Sequence, residues 1–131
     1  MGKDVIIACD FKNKEELFKF LEPFKGLNPF LKIGMEIFYK EGPQLVKDLK
    51  KQGCKIFLDL KLHDIPNTVE SAMRNLSELG AEIVNCHAAG GIEMMKAARR
   101  GLDATEAGKK SELIAVTQLT SISQEALENE L

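Results

Sequence analysis

The sequence predicts an α/β protein built on a parallel sheet, and three observations lead there. Short apolar runs alternate five times with stretches of helical periodicity. Each gap between runs is long enough for the helical crossover that parallel neighbours need. Asp10, Lys61, His87 and Thr120 all fall at or just after the C-terminal ends of the runs. Two architectures gather polar groups at that end: an open doubly wound sheet and part of a (β/α)8 barrel. The strand-end residues lean toward the barrel. A whole barrel takes about 250 residues, whereas these 131 residues hold roughly four and a half βα units. The expectation is a single domain over 1–131, an incomplete barrel with parallel strands and no low-complexity linker.

The first strand is Val5-Ile6-Ile7-Ala8-Cys9, closed by Asp10. Asn13 with Glu16 three residues later resembles a capping box, and Leu17, Leu21 and Phe24 supply an apolar stripe for the helix it opens. The second strand is read as Phe30 through Met35. Pro43 suits a helix start, Leu45, Val46 and Leu49 form its inward face, and Gly53 ends it. The third strand is Lys55 through Leu60. Its helix begins near Asn67 or Thr68, buries Val69, Ala72, Met73, Leu76 and Leu79, and stops at Gly80. The fourth strand, Glu82 through His87, leads past Gly90-Gly91 into a helix with Ile92, Met95 and Ala98. A polar stretch near 103–112 precedes the fifth strand, Leu113 through Leu119. A last helix starts at Gln124-Glu125-Ala126-Leu127.

Charge and composition exclude several function classes. Eighteen basic and twenty acidic residues leave a net charge of −2, which offers no global attraction for a nucleic acid. Lys47, Lys50 and Lys51 around Asp48 read as the solvated face of a helix. No apolar run approaches membrane-spanning length and no secretory leader opens the chain, which points to the cytoplasm. Cys9, Cys54 and Cys86 are widely spaced without a CxxC pair or a His at metal-ligand spacing, so they read as reduced, buried thiols.

The chemistry concentrates in Leu58-Asp59-Leu60-Lys61-Leu62-His63-Asp64-Ile65-Pro66-Asn67-Thr68. Alternation along a strand projects Asp59 and Lys61 to one face, and Asp64 follows at the loop. Charges at the end of an apolar strand are expensive unless they pair or do chemistry. Lys32 inside the second strand is equally unusual: it either snorkels from an edge or joins the same array. A structural Asp59–Lys61 ion pair, a turn-capping Asp64 and a hydrogen-bonded His87 are the plainer readings. Gly90-Gly91 is a weak phosphate signal, without a GxGxxG or Walker pattern. Taken together, Lys32, Asp59, Lys61 and Asp64 form alternating charges at one mouth. Such an array holds lysines protonated and favours charge that develops in a transition state. With no metal ligands or cofactor motif, carbanion formation with a lysine ammonium as proton donor fits.

These residues resemble the signature of the orotidine 5′-phosphate decarboxylase family, bacterial type. Ala8-Cys9-Asp10-Phe11, Lys32-Ile33-Gly34-Met35-Glu36, Asn85-Cys86-His87-Ala88-Ala89-Gly90-Gly91 and Val116-Thr117-Gln118-Leu119-Thr120-Ser121 agree in order, so the resemblance covers essentially the whole chain as an N-terminal portion. It implies a (β/α)8 barrel that dimerises, uses neither cofactor nor metal, and converts orotidine 5′-phosphate to uridine 5′-phosphate. It would place Asp10 and Lys32 on the ribose hydroxyls, Asp59 beside the substrate carboxylate, Lys61 as proton donor and Thr120 on the pyrimidine. Asp64, Ile65 and Thr68 would belong to the substrate site, with Asp64 and Thr68 acting across the dimer interface. The family's late phosphate-gripping loop and arginine are absent from these 131 residues, so the chain alone is expected to be nearly inactive. Two other readings stand beside it: a metal-dependent sugar-phosphate aldolase or decarboxylase sharing the Asp-x-Lys-x-x-Asp motif, and a non-catalytic assembly fragment.

Overall fold

The computed structural model describes residues 4–130. Five strands, β1 (Ile6–Ala8), β2 (Phe30–Gly34), β3 (Lys55–Leu62), β4 (Ile83–His87) and β5 (Glu112–Val116), pair in parallel in the order β1-β2-β3-β4-β5. A doubly wound sheet reverses its strand order at a switch point, whereas a barrel adds each strand beside the last. The sequential order decides for an arc of a barrel. β1 and β5 are its two edges.

The helices form where local chemistry directs. Asn13 accepts a hydrogen bond from the Glu16 amide at 2.9 Å and opens α1 (Lys14–Leu21), which buries Leu17 and Leu21. Pro43 opens α3 (Pro43–Lys51), and Gly53 follows at φ +87°, the left-handed conformation that favours glycine after a helix. α4 (Pro66–Ser77) starts one residue before the expected position because Pro66 takes the first helical turn, where its missing N–H costs nothing.

Several details differ from the sequence expectation. Met35 does not extend β2; it begins a short helix, α2 (Met35–Glu41), that apolar continuity had concealed. α5 (Gly91–Leu102) buries Met94, Ala97, Ala98, Gly101 and Leu102 and packs Met95 against the core, while Ile92 is 67% exposed. The polar stretch contains α6 (Glu106–Lys109), capped by Thr105. β5 ends at Val116, three residues early, and α7 (Gln124–Asn129) follows it. Within the basic cluster, Lys47 and Lys51 are exposed, but Lys50 pairs with Glu82 at 2.5 Å. Glu82 also accepts the Ile56 amide at 2.6 Å, so it clamps the entry to β4 against β3.

The two faces of the sheet are unequal. Leu31, Ile33, Ile56, Leu58, Val84 and Cys86 point toward α1–α5 and are fully buried. In-register neighbours on the other face include Ile6 beside Phe30, Lys32 beside Phe57, and Gly34 beside Asp59. Those residues line the arc's interior. Cys9, Cys54 and Cys86 are free and buried; burial and the neighbouring Asp10 push the Cys9 thiol up to about 11. No helix among the described residues is long and apolar enough to cross a membrane.

Candidate active site

Four of the expected residues assemble at the C-terminal ends of adjacent strands. Lys32 Nζ lies 3.2 Å from Asp10 Oδ1 and 3.4 Å from Asp59 Oδ2, and Lys61 Nζ donates to Asp59 Oδ1 at 2.6 Å. The result is an unbroken chain of alternating charge, Asp10–Lys32–Asp59–Lys61, across β1, β2 and β3. Asp59 is its centre, with a side chain only 14% exposed. Asp10 is the solvent end, at 69%.

The electrostatics follow from that arrangement. Burial pushes the Asp59 carboxyl up, but hydrogen bonds from Lys61 and Asn85 and the charges of Lys61 and Lys32 outweigh it and hold Asp59 below the usual carboxylate range. Burial likewise works against the Lys32 ammonium. The hydrogen bond and charge of Asp10, with those of Asp59, more than offset it and raise Lys32 above its ordinary value. The array therefore keeps Asp59 ionised and Lys32 protonated across the physiological range.

Lys61 reaches Asp59 by a route that simple strand alternation does not describe. Between the pairs Leu58↔Val84 and Leu62↔Cys86, β3 advances four residues while β4 advances two. Asp59, Leu60 and Lys61 thus bulge opposite Asn85 alone, and Lys61 sits at φ +49°. For a residue with a Cβ that conformation is uncommon and costs roughly 1–3 kcal/mol, so the surroundings must hold it there.

Asn85 is the residue that the motif reading overlooked. It is 1% exposed, its Oδ1 accepts the Lys61 amide at 2.7 Å, and its Nδ2 donates to Asp59 Oδ1 at 2.7 Å. The signal was present: a lone amide within the apolar run of a central strand needs partners.

The remaining expected residues stand apart from this array. Asp64 is exposed; its Oδ1 accepts the Ile65 amide at 2.6 Å, and it makes no ion pair among the described residues. Ile65 precedes α4 and is exposed, and Thr68 lies in the first turn of that helix. Asp64 and Thr68 do border a cleft of about 510 Å³ beside Lys61, lined also by Met35, Tyr39 and Leu119. Thr120 lies in an exposed turn after β5. His87 packs against His63 with ring centroids 5.2 Å apart and the rings tilted by 37°. A second cavity, about 400 Å³ among Phe18, Phe24 and Cys54 at the opposite end of the strands, contains none of these groups. No cluster of three or more His, Cys, Asp or Glu among the described residues can hold a metal ion.

A family model described as "Orotidine 5'-phosphate decarboxylase / HUMPS family" matches residues 3–131. The chain belongs to this family. A Bacillus pumilus protein named orotidine 5′-phosphate decarboxylase is 56% identical over 128 residues, which is 96% of this chain and 55% of that protein. One of the same name from Bacillus cytotoxicus is 55% identical over 133 residues, covering 100% of this chain and 56% of the relative. The chain thus spans about half the length of the curated relatives it matches. The crystal structure of orotidine 5′-phosphate decarboxylase from Lactobacillus acidophilus superposes with a TM-score of 0.91 at 45% identity, covering 98% of this chain and 59% of that one. Five parallel βα units over that share of a relative make the fold a partial (β/α)8 barrel.

Proposed function

We propose that the chain is the lysine-bearing, N-terminal part of an orotidine 5′-phosphate decarboxylase, a cofactor-independent carboxy-lyase of pyrimidine biosynthesis. The observation that carries this reading is the continuous Asp10–Lys32–Asp59–Lys61 charge array at the strand C-termini. Asp10 and Lys32 hold the ribose hydroxyls, and Asp59 lies beside the departing carboxylate. As the bond from C6 to the carboxylate carbon breaks and carbon dioxide leaves, the electron pair remains on C6. The Lys61 ammonium sits where it stabilises that charge and donates its proton to C6, giving uridine 5′-phosphate; solvent then reprotonates the lysine.

Asp59 does not take the proton. It keeps Lys61 charged and aimed, and its own carboxylate disfavours the substrate's carboxylate more than the product state. Thr120 contacts the pyrimidine. Ile65 contacts the substrate, and Asp64 and Thr68 serve the site of a second subunit in a homodimer, a reading supported by their exposure on the loop and first turn beside Lys61. Substrate phosphate is gripped by the later βα units of the family, and that remote binding energy lowers the barrier at C6.

The test is conversion of orotidine 5′-phosphate by the 131-residue chain alone and mixed with a polypeptide carrying the later βα units of a relative. The mixture is expected to turn over and the chain alone to be nearly inactive. Lys61→Ala in the mixture is expected to lose about 10²–10⁴-fold in kcat. Association without turnover would instead mark a non-catalytic assembly role, and full turnover by Lys61→Ala would remove the proton-donor assignment.

A further inference from the structure

We infer that Asn85 is a positioning residue of this site: its one amide group replaces the ladder partner that the β3 bulge forfeits, and ties the backbone of Lys61 to the carboxylate of Asp59. Three residues of β3, Asp59, Leu60 and Lys61, face the single residue Asn85 on β4. A regular parallel ladder cannot satisfy that count, so backbone groups are left over at the bulge. The Lys61 amide is one of them, and Asn85 Oδ1 receives it at 2.7 Å. That bond secures Lys61 in its left-handed conformation at φ +49°.

The other end of the same side chain does electrostatic work. Asn85 Nδ2 donates to Asp59 Oδ1, the same oxygen that accepts Lys61 Nζ. Asp59 therefore meets a neutral donor from β4 in addition to the ammonium groups of Lys61 and Lys32. A primary amide of this length accepts at one tip and donates at the other without itself ionising. An aspartate would keep the first bond, lose the second, and place a carboxylate against Asp59. A leucine of similar volume would lose both. With 1% exposure, Asn85 leaves no room for bulk water to take over either bond.

The kinetic consequence rests on the decarboxylase reading; the electrostatic one does not, so the first measurement uses no substrate. The Asp59 carboxyl is titrated by carbon-13 NMR, and exchange of the Lys61 amide is followed, in the wild-type chain, Asn85→Leu and Asn85→Asp. Asn85→Leu is expected to raise the Asp59 midpoint and unprotect the Lys61 amide. Asn85→Asp is expected to raise the midpoint further while keeping the amide protected. In the complemented enzyme, Asn85→Leu is expected to lower kcat about 100-fold with KM little changed, and Asn85→Asp to shift the acid limb of the rate profile upward. An unchanged Asp59 midpoint in either folded variant overturns the inference. So does a failure of both variants to fold, which would assign Asn85 to the fold alone. If the titrations shift as stated but no mixture decarboxylates, the positioning role stands and the assigned reaction falls.

Discussion

The two faces of the sheet answer to different physics. Toward the helices, Leu31, Ile33, Ile56, Leu58 and Val84 interlock with α1–α5 and are fully removed from water. Toward the arc's interior, Ile114 is 40% exposed and Ile6 nearly as much, while Lys32, Asp59 and Lys61 take up the C-terminal end. Hydrophobic burial scales with area removed from water, so the stability of the described fold comes from the helix-covered face. The interior face contributes little packing here and carries the chemistry. Five βα units can therefore hold the charge array in place even though the interior is left open.

The sharpest way to break this contrast is Leu58→Ala. It empties a fully buried position and is expected to lower unfolding stability by about 2–5 kcal/mol in urea denaturation. A loss under about 1 kcal/mol would mean that the helix-covered face is not the core. Next in size is Gly101→Ala. A Cβ there would lie 2.3 Å from the Glu70 carbonyl oxygen and 2.7 Å from Met73 Cβ, so α5 must move off α4, at an expected cost of about 1–3 kcal/mol by thermal melting.

The charged end responds to pH instead. Asp59 titrates below its ordinary 3.8 in the folded chain, so its stabilisation is present above the unfolded value and is lost as pH falls through the folded one. Lys32 has the opposite sign: its contribution is present below 10.5 and is lost only as pH rises through its raised folded value. The stability difference between wild type and Asp59→Asn is expected to shrink on acidification below pH 3.8. Melts recorded from neutral pH downward that show a constant difference would remove the coupling. The smallest effect belongs to Ile114→Ala on the interior face, within about 0.5 kcal/mol. A loss comparable to that of Leu58→Ala would show that the interior is packed in solution, by another chain or a second copy.

Much of this organisation was legible from the residues in order. Apolar runs located all five strands, and Asn13, Pro43 and Gly53 marked helix boundaries by chemistry that acts over three or four residues. Lys32, Asp59 and Lys61 stood out because charges in apolar strands demand partners, and the structure brings them together with Asp10. The misses were of another kind. Gly34-Met35 continues an apolar run, so the turn into α2 leaves no local mark. The inward face of α5 is chosen by how closely Gly101 lets it approach α4, not by where its largest apolar side chains fall.

Sequence alone determined the α/β alternation, the charged residues at the strand ends and the family resemblance, because periodicity, capping and motif spacing are properties of neighbouring residues along the chain. Tertiary structure decided the sequential strand order, the geometry of the barrel arc that the strand-end residues and the resemblance already favoured. It also decided that three residues of β3 face Asn85 alone, which turns Lys61 to a positive φ and joins its amide to Asp59 through one side chain. Registers and bulges are relations between strands more than twenty residues apart, and no local pattern in either strand specifies them.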